Sequence, residues 1–256
     1  MEEIMQSNTL FIVPLTMAYA SICGLWFLLD RTGVLWRVVS IEKTNNPWLD
    51  LGISLLAVIG IFGIGQLYSS GLLIGTTQNE TLNLIIWPLN NILIFSPIFI
   101  VLILRKQSLT TLFISKDNWL KKVTFGFLAS VIGILIFLSL RGELGRGVEI
   151  MNNSVDPKTV SNFPAIFFEN AALAFLFVRL RWAVGIKWAI VVPAVVFALA
   201  HVPGSIAEGD PWSHIITFFF LTGGLSTFIL YTAYRSRDIL WLGVVHYLMD
   251  VAIKAV

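Results

Sequence analysis

The carboxyl-terminal stretch "ILWLGVVHYLMDVAIKAV" (239–256) is almost entirely apolar, yet it contains His246 and Asp250, one helical turn apart. An apolar stretch of this kind is typical of a helix inside a membrane. Ionisable side chains within such a helix are energetically costly and usually have a function. The stretch therefore predicts a membrane helix that carries two chemically useful groups on one face.

The chain as a whole is also unusually apolar. Of the 256 residues, 57% are hydrophobic and 12% are charged, whereas soluble domains contain about 25% charged residues. A helix needs about 20 apolar residues to cross a bilayer. The sequence therefore predicts an all-α fold, a polytopic transmembrane helical bundle of about eight spans. The predicted spans are residues 9–29, 51–74, 82–104, 122–140, 162–180, 186–202, 213–234 and 238–255.

The polar connection 141–161 separates the first four predicted spans from the others. We therefore expect a leading four-span membrane region, residues 1–140, followed by a core that carries the chemistry, residues 141–256. The basic residues lie in short loops and form no continuous stripe, so we expect no nucleic-acid partner. Membrane lipid is the expected environment of the whole chain.

Ionisable side chains within the predicted spans cluster towards the carboxyl terminus. Glu169 lies in the fifth span, His201 near the end of the sixth, and His246 and Asp250 in the eighth. Each residue alone has a structural interpretation, such as a protonated acid between helices or an i, i+4 pair. A carboxylate with two imidazoles can also act as a general base with electrophilic partners. The set Glu169, His201 and His246 is alternatively a zinc site with an open position.

Two short motifs carry a resemblance to a known family. The stretches "FALAH" (197–201) and "HYLMD" (246–250) match the FxxxH and HxxxN/D motifs of the CPBP family. These are the CAAX-processing and bacteriocin-processing membrane proteases, also called Abi proteins, and within the family the chain resembles the type II CAAX-prenyl proteases. The resemblance extends over roughly residues 162–252 and implies a helical intramembrane protease.

The first motif of that family, EExxxR, is only partly present. The corresponding stretch is "ENAALA" (169–174), in which Glu169 keeps the first position. Asn170 stands where the second glutamate would be, and Ala174 stands where the arginine would be. The resemblance implies that the retained Glu169 is the general base of the reaction.

The resemblance implies hydrolysis of a peptide bond in a peptide or in a membrane-associated or lipidated substrate. Glu169, together with His201, would deprotonate a water molecule, while His246 and Asp250 would stabilise the oxyanion or orient the water. We expect metal-independent chemistry, with zinc bound by Glu169, His201 and His246 as the alternative. The expected location is the plasma membrane of a bacterium.

Two other functions compete with this interpretation. A CPBP-like protein without proteolytic activity would serve as a membrane scaffold, an immunity protein or a regulatory protein, and the altered EExxxR motif favours it. A secondary transporter would use Glu169 as a proton carrier. Inverted repeats are expected in such a transporter, and the sequence has none that we recognise.

Overall fold

The computed structural model describes residues 2–36, 38, 40–41, 44–75, 77–207, 209 and 211–255. All the regular elements in these residues are helices. The α-helices are α1 Glu2–Arg31, α2 Pro47–Ser69, α3 Glu80–Leu104, α4 Trp119–Arg141, α5 Gly147–Val155, α6 Pro157–Val160, α7 Phe163–Val184, α8 Ile186–Ala207, α9 Trp212–Ser236 and α10 Leu240–Lys254. Short 3₁₀ helices form at Leu109–Leu112 and Leu144–Arg146.

Seven helical stretches in the described part of the chain are long and apolar enough to cross a membrane. They are Phe11–Arg31, Pro47–Ser69, Glu80–Leu104, Trp119–Arg141, Pro157–Val184, Ile186–Ile206 and Trp212–Ser236. The predicted all-α, multi-pass membrane fold is confirmed. Helix α10, which falls in the eighth predicted span, has 15 residues. At 1.5 Å per residue it is about 22 Å long, less than the roughly 30 Å of a bilayer core.

The helices pack into two compact units, each assembled from separate parts of the chain. The first unit comprises Met1–Arg37, Lys116–Thr159 and Leu240–Val256, and the second comprises Val38–Ser115 and Val160–Ile239. The division expected between residues 140 and 141 rests on the polarity of the connection and stays a prediction. The packing units do not follow that boundary, because the first unit includes residues on both sides of it.

In the first unit, α4 packs against both α1 and α10. Two glycines of α4 allow this close approach. A methyl group on Gly126 would lie 2.6 Å from the backbone oxygen of Trp241, and one on Gly133 would collide with the end of the Ile22 side chain. Small residues at helix contacts let backbones approach closely inside membranes, where packing is a main source of helix association.

Aromatic rings fix the beginning of α10 within the first unit. Trp241 is fully buried. Its ring stacks on that of Trp26, with centroids 6.3 Å apart and planes 10° from parallel, and meets the ring of Phe125 edge-on at 5.2 Å. Such ring pairs add to the stabilisation from buried area. The first turn of α10, which precedes His246, is therefore firmly packed.

Helix α7 is the centre of the second unit. It packs against α2, α3 and α8, and α8 in turn packs against α9. From Phe175 to Leu180 every side chain of α7 is buried, including that of Arg179. This packing places Glu169 of α7 and His201 of α8 on neighbouring helices of the same unit.

Candidate active site

Glu169 lies in the second turn of α7 and is half-buried. The preceding residue, Phe168, packs its ring against those of Phe95 and Phe99 on α3, with centroids 5.9 and 5.6 Å away. The following residue, Asn170, is buried, and its side-chain amide donates a hydrogen bond to the Ile166 carbonyl at 2.8 Å. Packed neighbours on both sides therefore hold the backbone that presents the Glu169 carboxyl.

His201 is held by Phe197, the other defined position of the FxxxH motif. The Nδ1 atom of His201 lies 2.8 Å from the Phe197 carbonyl oxygen. Because a carbonyl can only accept, Nδ1 donates, and the neutral imidazole keeps a lone pair on Nε2. The ring also meets the Phe197 ring at 4.6 Å and the Phe218 ring of α9 at 6.2 Å. The FxxxH spacing thus sets both the orientation and the tautomer of the histidine.

On α10, three ionisable residues follow one another at single-turn spacing. His246 Nε2 lies 3.8 Å from Asp250 Oδ1, and Lys254 Nζ lies 3.5 Å from Asp250 Oδ2. The side chains of His246 and Asp250 are 22% and 30% exposed, whereas that of Lys254 is 72% exposed. The separation of 3.8 Å is longer than a direct hydrogen bond. Asp250 lies between His246 and Lys254, which can both carry positive charge.

Lys254 was not among the predicted site residues. The signal was present in the sequence, because Lys254 follows Asp250 at the i, i+4 spacing that brings helical side chains together.

Another unpredicted contact lies beside His246. The hydroxyl of the buried Tyr247 donates to the Ser154 carbonyl at 2.7 Å and so connects α10 to α5 within the first unit.

The positions that depart from EExxxR are packed inside the second unit. Ala174 is 1% exposed, so a longer side chain there would displace its neighbours. The buried cation of α7 is Arg179, one further turn along. Its guanidinium donates to the Thr111 carbonyl at 2.8 Å and to Gln107 Oε1, and it lies 4.0 Å from the centre of the Phe175 ring. Arg179 therefore ties the short 3₁₀ helix to α7.

The structure groups the predicted residues in two pairs. Glu169 and His201 lie on packed helices of the second unit, and His246 and Asp250 lie one turn apart in the first unit. Within each unit, the described residues contain no group of three or more His, Cys, Asp or Glu side chains placed to hold a metal ion. The catalytic assignment and the zinc alternative both stay predictions.

The comparisons with known proteins concern the same part of the chain. The family model described as type II CAAX prenyl endopeptidase Rce1-like matches residues 157–252. No curated protein and no solved structure matches the chain. The matched segment contains all four predicted site residues, from Glu169 on α7 to Asp250 on α10. The resemblance to the CPBP membrane proteases is thereby confirmed over this segment: residues 157–252 match the model of the Rce1-like type II CAAX prenyl endopeptidases.

Proposed function

We propose that this chain is an intramembrane endopeptidase that hydrolyses a peptide bond of a peptide or of a membrane-associated or lipidated substrate. The observation that carries the proposal is that the family match covers Glu169, His201, His246 and Asp250 together. The multi-pass helical fold supports it, because a substrate anchored in lipid must be reached from within the bilayer. The proposed location is the plasma membrane of a bacterium.

Glu169 is proposed as the general base. Its carboxylate accepts a proton from a water molecule, and the resulting hydroxide attacks the carbonyl carbon of the substrate. The proton then passes to the nitrogen of the leaving amine as the carbon–nitrogen bond breaks, so protons balance over the cycle. The lone pair on Nε2 of His201 supports this step, because it can accept a hydrogen bond from the attacking water.

His246 is proposed to stabilise the oxyanion that forms when the carbonyl is attacked. Asp250 Oδ1 faces Nε2 of His246, so a proton on Nε2 points towards the carboxylate, and the pair favours an imidazolium whose positive charge stabilises the oxyanion. Donors held ready in a water-poor cavity stabilise developing negative charge strongly. In this proposal Asp250 is a positioning residue. The positive charge of Lys254 partly offsets the negative charge of Asp250 near the reacting groups.

A zinc-dependent reaction is the alternative mechanism. Zinc accepts imidazole nitrogens and carboxylate oxygens as ligands, and the Nε2 lone pair of His201 suits that role. Glu169, His201 and His246 would be the ligands. We propose the metal-independent mechanism, and metal removal separates the two.

The second candidate function is a proteolytically inactive scaffold, immunity protein or regulatory protein. Asn170 and Ala174, which replace a glutamate and an arginine of the EExxxR motif, favour it. The test is complementation of a deletion strain of the native host by Glu169→Gln or His246→Ala, at wild-type membrane levels. If neither variant restores the wild-type phenotype of the deletion strain, the peptidase function is supported. Full rescue by both favours the inactive protein.

A further inference from the structure

A polar cleft opens at one end of the second unit, and no residue of the proposed active site lines it. Its volume is about 290 Å³. Its walls come from the connection that precedes α2, from the residues after α3, and from Trp182 near the end of α7. Its lining includes Asn45, Arg105, Lys106, Gln107, Ser108 and Trp182.

The cleft carries positive charge. Arg105 and Lys106 line it, and none of the described lining residues is a carboxylate. Nε of Arg105 donates to Oδ1 of the buried Asp50 at 2.7 Å. This ion pair fixes the Arg105 guanidinium while its two terminal nitrogens have no hydrogen-bond partner among the described residues. A fixed guanidinium whose two terminal nitrogens can both donate hydrogen bonds matches the geometry of a phosphate group.

Neutral donors and acceptors complete the lining. The side chains of Asn45 and Ser108 are exposed at the cleft, and amide and hydroxyl groups commonly bind phosphate oxygens. Gln107 is fixed by its contact with the buried Arg179, so the wall behind the cations is rigid. The cleft therefore presents two cations and several neutral hydrogen-bonding groups on a preformed wall.

The surroundings of the cleft indicate a lipid as the source of the phosphate. Ile103 and Leu104, which directly precede Arg105, are 76% and 73% exposed, and Trp48 of the first turn of α2 is 66% exposed. Exposed apolar side chains on a membrane helix face acyl chains. Tryptophan, here Trp182, is enriched at the level of lipid headgroups. Basic clusters at helix ends are typical of the cytoplasmic side, where anionic lipids are common.

We propose that this cleft is a binding site for a phosphate group, expected to be the headgroup of an anionic membrane lipid, held by Arg105 and Lys106. The acyl chains would lie along the apolar ends of α2 and α3. The site does not depend on the proposed peptidase chemistry.

The test measures lipid binding by native mass spectrometry of the full chain in detergent micelles. The probes are phosphatidylglycerol, phosphatidylcholine as a headgroup without net charge, and inorganic phosphate. Lys106→Glu and Asn45→Glu each place a carboxylate in the cleft without breaking the Arg105–Asp50 ion pair. The control is Lys187→Glu, which makes the same charge change at an exposed position of α8 outside the cleft.

We expect wild type and Lys187→Glu to prefer phosphatidylglycerol to phosphatidylcholine, and both cleft variants to bind phosphatidylglycerol about tenfold more weakly. Retention of the lipid in millimolar inorganic phosphate identifies a lipid site. Its displacement by phosphate, together with phosphate binding that the cleft variants lose, identifies a site for the free anion. Equal binding of both lipids by wild type, or unchanged binding by correctly folded cleft variants, would overturn the proposal.

Discussion

His246 Nε2 and Asp250 Oδ1 lie 3.8 Å apart on successive turns of α10, and Lys254 approaches the other oxygen of Asp250 at 3.5 Å. The carboxylate is thus shared between an imidazole and an exposed ammonium group. In a largely apolar helix, this arrangement keeps a charged group near His246 without leaving the carboxylate isolated. It supports a role for Asp250 in orienting His246.

The first prediction concerns the side chain at position 250. Asp250→Leu removes the group that favours the donor form of His246, so the rate of peptide hydrolysis should fall by about 100-fold. Asp250→Asn should keep the rate within about tenfold of wild type, because an amide can donate to an oxyanion directly. Rates are compared at equal amounts of folded protein. A wild-type rate in Asp250→Leu would contradict the role.

The second prediction concerns His201, whose ring is oriented by the Phe197 carbonyl. His201→Ala removes the proposed acceptor for the attacking water, and hydrolysis should fall by about 10² to 10⁴-fold. The matched control is His214→Ala. His214 lies in the first turn of α9 and has no proposed role in the reaction. Both variants should accumulate in the membrane as wild type does.

Activity retained in His201→Ala would remove His201 from the mechanism. Equal losses in His201→Ala and His214→Ala, accompanied by lower protein levels, would instead point to a general effect on folding.

The third prediction separates the two mechanisms by metal removal. Purified protein treated with a strong chelator should keep its full rate of hydrolysis, because the proposed base is the carboxylate of Glu169. The same protein after addition of zinc provides the comparison. A rate that disappears in chelator and returns with zinc would establish the zinc alternative.

The fourth prediction concerns the close approach of α4 to its two neighbours. A methyl group on Gly126 meets backbone atoms of α10, including the Trp241 oxygen at 2.6 Å. Gly126→Ala should therefore lower the free energy of unfolding by about 1–3 kcal/mol, since backbone atoms cannot move aside cheaply. Gly133→Ala meets the flexible end of Ile22, and the gain in helix propensity of up to about 1 kcal/mol offsets its cost.

Thermal unfolding in detergent compares the two glycine variants. We expect Gly126→Ala to be the less stable of the two. The reverse order would show that the α4–α10 contact is looser than the structure indicates.

Hydropathy was enough to predict most of the helices. The third span was predicted at residues 82–104, and α3 runs from Glu80 to Leu104. The reason is that bilayer thickness fixes the length of an apolar run, and polar residues mark both of its ends. The last span was predicted at residues 238–255. It forms a helix of only 15 residues, Leu240–Lys254, which begins just after the polar residue Asp238.

Local spacing also predicted that His246 and Asp250 share a face, since i, i+4 neighbours meet on any helix. Contacts over long sequence separations could not be predicted in this way. Arg179 bonds to Thr111, which lies 68 residues earlier, and no local pattern marks that pair. The two packing units likewise combine distant segments of the chain, and a single sequence does not reveal which helices meet.

The central claim is that Glu169 activates water for peptide hydrolysis. The most direct measurement counts new peptide ends in membrane and secreted proteins by mass spectrometry, in cells of the native host that express wild type or Glu169→Gln at equal membrane levels. Glu149→Gln is the matched control, because Glu149 is an exposed carboxylate of α5 that binds Arg146 outside the proposed site.

We expect peptide ends that appear with wild type and Glu149→Gln and are absent with Glu169→Gln. Such ends would also identify the substrate. The same set of peptide ends in all three strains would contradict the claim and favour the proteolytically inactive membrane protein.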